Sequence, residues 1–283
     1  MTAFNASYLE IEPRELVRYL LRSAGQSERE CLNPQDIMDF LKLEYLSFDF
    51  ARELPDGAKK TIAAGAPRAL LSFADRIVAT DETLDERRAR FSVLHEIGHY
   101  VLPHHEHMLY VCDDAGLSHT TRLVMEKEAN DFAADLLFLG DRFAVEANAR
   151  QIDVKNVKDL AIKYRASFEA TARRFVENNF RACMLIAFKS EHQRGAVDVD
   201  AIPNWTVRYC VASPSFKTTY FEKVNGTVPP EAVVAVTRPG GDIRDTFDCE
   251  LDIAAPGGKE SRFRAQFFYN RYNIFCLLMP KTK

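Results

Sequence analysis

The chain has 283 residues, 47% apolar and 28% charged, which excludes a disordered or low-complexity protein. At ~150 residues per domain the length suits about two domains. The net charge of -4 excludes a histone-like polycation, so any nucleic-acid contact must be a local patch. Residues 11–25 repeat apolar side chains at helical spacing, with Leu16, Tyr19 and Leu20 on one stripe. Asn33-Pro34 is a cap followed by a first-turn proline, and it opens a helix through Ile37, Phe40 and Leu41. Residues 43–50 and 68–80 are β-rich, and Ala74-Asp75-Arg76 splits the second run into two short strands. Thr83 and Glu86 stand at capping-box spacing and start a helix to about Leu102, where Pro103 stops it. A second long helix is predicted over 121–139, and shorter ones over 154–164 and 167–178. From Arg181 the texture turns to β, with strands at 183–188, 207–212, 233–237 and 263–269 between Pro- and Gly-rich turns. No repeat of 20–50 residues is present.

The strongest chemical signal is His95-Glu96-Ile97-Gly98-His99. It lies inside a predicted apolar helix, where 3.6 residues per turn stack His95 and His99 on one face. Two neutral imidazoles at that spacing can share one Zn²⁺. Glu96 is the candidate general base for a metal-activated water. A third ligand is expected from the next long helix, where Glu126 and Glu128 compete on different sides. Glu126 shares its face with Asn130, which can hydrogen-bond a ligating imidazole. Glu126 is therefore the expected third ligand and Glu128 a solvated charge. Ala133 and Ala134 are small enough to let the two helices approach closely.

The run from Arg88 to His99, followed by Glu126-x-x-Ala-Asn-x-Phe-Ala-Ala134-x-Leu-Leu137, resembles the ImmA/IrrE family of metallopeptidases. The resemblance implies an α+β fold with a mainly helical, zincin-like metallopeptidase domain carrying a small sheet over residues 1–140. It implies a helix-turn-helix-like region over 141–180 and a β-rich, GAF-like sensor domain over 181–283, the order of the Deinococcus-type members. It also implies one Zn²⁺ per chain and, as substrate, a partner helix-turn-helix repressor whose cleavage switches on DNA-damage or mobile-element genes. A related branch sits in CBASS anti-phage operons. The chain departs from the family pattern after Leu137, where Phe138-Leu139 replaces a common Met-Pro.

Between the ligand helices lie His104, His105, His107, Tyr110 and Cys112. A catalytic zinc keeps a fourth position for water, and a Cys112 thiolate could occupy it and silence the enzyme until oxidation or a shift releases it. The three histidines read as an exposed polar loop, with one of them, or Tyr110, as a candidate oxyanion stabiliser. The stretch 141–181 carries nine basic and six acidic residues. Lys155, Lys158, Lys163, Arg165, Arg173 and Arg174 are its candidates for contact with the repressor or with single-stranded DNA as an activator. In the β region, Phe267-Phe268-Tyr269 and Phe275-Cys276 read as core.

Six cysteines with no CxxC pair suit a reducing cytoplasm. No apolar run nears the ~20 residues of a membrane span, and the start has no secretion-signal pattern. Two other functions compete: a DNA-binding regulator with a structural zinc, and an antitoxin-like binding protein. An intact Glu96 argues against a structural site, which needs no general base.

Overall fold

The computed structural model describes residues 12–53, 69–105, 119–190, 204–220, 224, 227–237, 246–254 and 260–281. The chain divides into two units, Met1–Arg142 and Phe143–Lys283. Both helices and sheets are present, so the class is α+β.

The first unit opens with α1 (Pro13–Ser23) and α2 (Pro34–Leu41). The Asn33 side chain accepts from the Gln35 amide, and Pro34 occupies the first turn. Leu16, Leu20, Ile37 and Leu41 are buried, but Tyr19 and Phe40 are exposed and meet edge to face. Strands β1 (Glu44–Phe48), β2 (Ala69–Ser72) and β3 (Ile77–Asp81) follow, with the one-turn helix α3 (Phe50–Glu53) after β1. The sheet order is β1-β3-β2, with β1 parallel and β2 antiparallel to β3. Arg76 takes φ 57° in the tight turn between β2 and β3.

Helix α4 (Glu86–Val101) packs on β2 and β3 and carries the HExxH segment. Its cap is Asp85, whose side chain accepts from the Arg87 and Arg88 amides. The expected cap, Thr83, instead bonds the Asp81 carboxylate through its amide and hydroxyl. A carboxylate two residues closer answers both the orphan amides and the positive helix end. Helix α5 (His119–Leu137) lies against α4, and α1 packs on α5. Leu94, Ile97, Ala129, Phe132, Ala133 and Leu136 form the buried seam. Leu139 and Gly140, at φ 55° and 60°, turn the chain out of α5, and Phe138 and Leu139 are buried there.

Helix α6 (Asp141–Ala149) spans the division between the units. The second unit continues with α7 (Val154–Lys163) and α8 (Phe168–Glu177), capped by Asp153 and Ser167. Strands β4 (Met184–Ser190) and β5 (Trp205–Ala212), helices α9 (Pro214–Thr219) and α10 (Pro230–Thr237), and strands β6 (Thr246–Ala254), β7 (Glu260–Tyr269) and β8 (Ile274–Pro280) complete it. The five strands form one antiparallel sheet in the order β5-β4-β8-β7-β6. The two-residue period of β7 sends Phe263, Ala265 and Phe267 into one apolar cluster, with Phe216, Ala232, Val233 and Cys276. Phe268 points to the other face, where Phe168 of α8 covers it and Phe275 at 4.6 and 5.3 Å between ring centres. On that face the Gln266 side chain also accepts from the Val154 amide at 3.0 Å. With both faces covered, the central strand β8 is buried almost throughout, as an unbroken apolar run predicts.

The segment 233–237, expected as a strand, is the helical α10. Its Val-rich run imitates a strand, but Pro230 and Glu231 supply a first turn and Ala232 and Val233 bury its inner face on β6 and β7.

Candidate metal centre

Helix α4 sets His95 and His99 one turn apart with their Nε2 atoms 3.1 Å from each other. Glu126 of α5 brings Oε2 to 3.2 Å from His95 Nε2 and Oε1 to 3.6 Å from His99 Nε2. Ligand atoms about 2.1 Å from a tetrahedral ion stand ~3.4 Å from each other. The three distances bracket that edge, and two imidazoles with a carboxylate are an ordinary donor set for a divalent transition ion.

The register of this triad comes from a close helix contact. A Cβ built on Gly98 would stand 3.2 Å from the Ala129 carbonyl oxygen and 3.3 Å from its Cα. His95 and His99 flank Gly98 on one helix, and Glu126 and Asn130 flank Ala129 on the other. The expected alanine contact thus has its tightest point one turn earlier than Ala133. Gly98 was the missed signal: a glycine inside an apolar helix costs about 1 kcal/mol of helix propensity and so marks close packing.

Electrostatics divides the roles. Burial pushes His99 down to about 4, helped by the neighbouring His95 and His105, so His99 is neutral at pH 7. Burial also works against protonation of His95, but the Glu126 bond, the charges of Glu96 and Glu126 and a hydrogen bond with Asn130 outweigh it and hold His95 above its ordinary value. The His95 bond keeps Glu126 below the usual carboxylate range. Burial raises Glu96 to about 7, with Glu126 adding to the rise and His95 opposing it. Glu96 is therefore poised to take and return a proton near neutrality.

Residues 52–176 match the model of the Peptidase_M78 family, described as an IrrE N-terminal-like domain. That stretch is similar to an IrrE N-terminal-like domain. This family is one of metallopeptidases, and the match includes both helices of the triad. No curated protein matches the chain. Among solved structures, a Mycobacterium tuberculosis transcriptional regulator is similar at 11% identity, with a TM-score of 0.53, over 94% of this chain and 86% of that one. At that identity the likeness is one of fold.

Within the matched stretch, Glu128 is not a solvated charge. Its Oε2 bonds His104 Nε2 at 2.7 Å and His105 Nε2 at 3.1 Å. His105, expected in an exposed loop, is fully buried, and its Nδ1 lies 2.9 Å from His99 Nδ1. Helix α4 ends at Leu102, whose backbone is extended, and the Leu102 carbonyl accepts from the His105 amide at 3.0 Å. Cys112, His107 and Tyr110 lie outside the described residues.

The basic candidates fall into two groups. Lys163 is ion-paired with Glu146 at 2.8 Å, Lys158 sits 3.8 Å over the Phe268 ring, and Arg174 is half-buried. Lys155, Arg165 and Arg173 are exposed, with Arg173 4.0 Å from Glu177 and over the Tyr209 ring. Among the described residues no helix is long and apolar enough to cross a membrane.

Proposed function

We propose that the chain is a cytoplasmic zinc endopeptidase that cleaves a partner helix-turn-helix repressor and so releases stress-response or anti-phage genes. One observation carries the reading: three metal-ligand atoms at tetrahedral spacing stand beside a partly buried carboxylate that desolvation pushes up to about 7. His95, His99 and Glu126 would hold the ion, and bound zinc supplies Lewis-acid activation of water and of the scissile carbonyl. Burial keeps His99 neutral, and with its single proton on Nδ1, toward His105, its Nε2 lone pair would face the ion. Asn130 steadies the His95 ring. The Glu96 carboxylate takes the proton of the attacking water and returns it to the departing amine nitrogen.

Three finer features complete the proposal: by resemblance, residues 181–283 act as a GAF-like sensor; from the local excess of positive charge, single-stranded DNA meets the basic residues of 141–180; and from its place in the sequence between the ligand helices, Cys112 caps the zinc in the resting enzyme. The test is incubation of the zinc-loaded chain with the repressor encoded beside it, with fragments read by mass spectrometry. Wild type should cut at one bond and Glu96→Gln, with zinc retained, should not. Equal cutting by a metal-loaded Glu96→Gln protein removes Glu96 from the base role. A second reading, a DNA-binding regulator with structural zinc, is favoured by the fold shared with a transcriptional regulator and by exposed Lys155, Arg165 and Arg173. It leaves a partly buried Glu96, pushed up to about 7, without a task, and it predicts specific DNA binding with no cleavage.

A further inference from the structure

Behind the triad, His104, His105 and Glu128 form a second group of potential ligands, one ligand atom of each lying within 4.8 Å of the others, and Glu128 Oε2 meets the Nε2 atoms of both histidines. His104 and Glu128 are 42% and 39% exposed, so an ion can reach them from solvent, while the fully buried His105 forms the inner wall. Two imidazoles and one carboxylate make the same donor set as the first group. The present 2.7 and 3.1 Å spacings of Glu128 Oε2 from the two imidazoles are hydrogen-bonded ones, and an ion would need them to widen by roughly 0.3–0.7 Å to reach a ~3.4 Å tetrahedral edge.

The two groups share one hydrogen bond. His99 Nδ1 and His105 Nδ1 are 2.9 Å apart, and each neutral imidazole carries a single proton. If His99 owns the proton of that bond, its Nε2 lone pair is free for the first group. His105 then accepts at Nδ1, keeps its own proton on Nε2 and donates it to Glu128. If His105 owns the proton, its Nε2 lone pair is free for the second group. His99 must then carry its proton on Nε2, inside the first group. With both groups filled through Nε2, both rings carry a proton on Nδ1. Two donors would then face each other in a buried place with no acceptor between them.

We infer that His104, His105 and Glu128 are a second transition-metal site, and that an ion there excludes an ion from His95, His99 and Glu126. This rests on the metal-centre reading above. Metal at the outer site parks His99 with an N–H turned into the first centre, so it is an off state of the peptidase. Metal at the inner site fixes the chain His99 to His105 to Glu128, which orients the ligand.

The test is equilibrium dialysis of the metal-free full chain against Zn²⁺, with bound metal counted per chain and folding checked by circular dichroism. Four proteins are compared: wild type, His104→Ala, His95→Ala, and His95→Ala with His104→Ala as background. Above background, one zinc is expected in each single variant. Wild type should also bind one, at every concentration that saturates both single variants. Background-level binding by His95→Ala, repeated with the surface-exposed Glu126→Ala in case His95→Ala misfolds, abolishes the second site. Two zinc ions in wild type overturn the exclusion. If His95→Ala binds zinc and His104→Ala does not, the first centre fails as a metal site and the second stands.

Discussion

Gly98 touches the Ala129 backbone so closely that a methyl group would meet its carbonyl oxygen at 3.2 Å. That contact, rather than either histidine, sets how far Glu126 stands from His95 and His99. Gly98→Ala should therefore push α4 and α5 apart by a few tenths of an ångström. Overpacking costs about 1–3 kcal/mol, and alanine regains about 1 kcal/mol of helix propensity. The net cost is roughly 0–2 kcal/mol, so thermal stability of the metal-free protein should stay level or fall by a few degrees, while zinc affinity falls several-fold. Unchanged affinity by chelator competition would show that the crossing does not govern the ligand spacing.

The Glu126 and Glu128 roles can be ranked. The measurement uses the His104→Ala background, so that only the first centre binds. Glu126→Ala removes a direct ligand and should cost more than 100-fold in zinc affinity. Glu128→Ala removes the acceptor behind His105 and should cost roughly 10–100-fold, the range for partners of ligating histidines. An equal or larger loss for Glu128→Ala would reverse the assignment.

Zinc affinity should depend on pH in a defined window. A proton on His95 Nε2 competes with the metal for the same lone pair. Since His95 is held above its ordinary 6.5 in the metal-free chain, binding should be flat well above that raised value. Below it, affinity should fall roughly tenfold per pH unit, one proton being displaced. His99, pushed down to about 4, adds a second proton only near that pH. Isothermal titrations in buffers of different ionisation heat count the protons released. No proton release at pH 6 would contradict the raised value of His95.

Most of the first unit was legible because local signals agree with the packing there. Asn33-Pro34 caps α2, the turn at Ala74-Asp75-Arg76 joins β2 and β3, and the HExxH spacing puts both imidazoles on one face. The tertiary relations were less legible. Glu128 and His105 are 23 residues apart in the chain, and nothing local ties a surface-looking glutamate to a loop histidine. The Val233 run misled for a related reason: β-branched residues suggest a strand, and only the packing of Ala232 and Val233 on the sheet settles the helix.

The basic residues of 141–180 should separate into structural and contact roles. Lys163 holds Glu146 together with Arg150 and Tyr164. Lys163→Ala should therefore destabilise the fold by about 1 kcal/mol, measured by denaturant unfolding, with little effect on nucleic acid. Lys155 and Arg165 are exposed and belong to the proposed contact with single-stranded DNA. Arg165 sits at φ 51°, so Arg165→Asn, which tolerates that conformation, is the fitting replacement. Together Lys155→Ala and Arg165→Asn should weaken binding of a labelled oligonucleotide at low salt. Each phosphate contact contributes ~0.7 to the log–log salt slope for a single strand, so the pair should reduce the slope by about 1.4. An unchanged slope would take the proposed DNA contact away from these two residues and leave repressor docking as their remaining role.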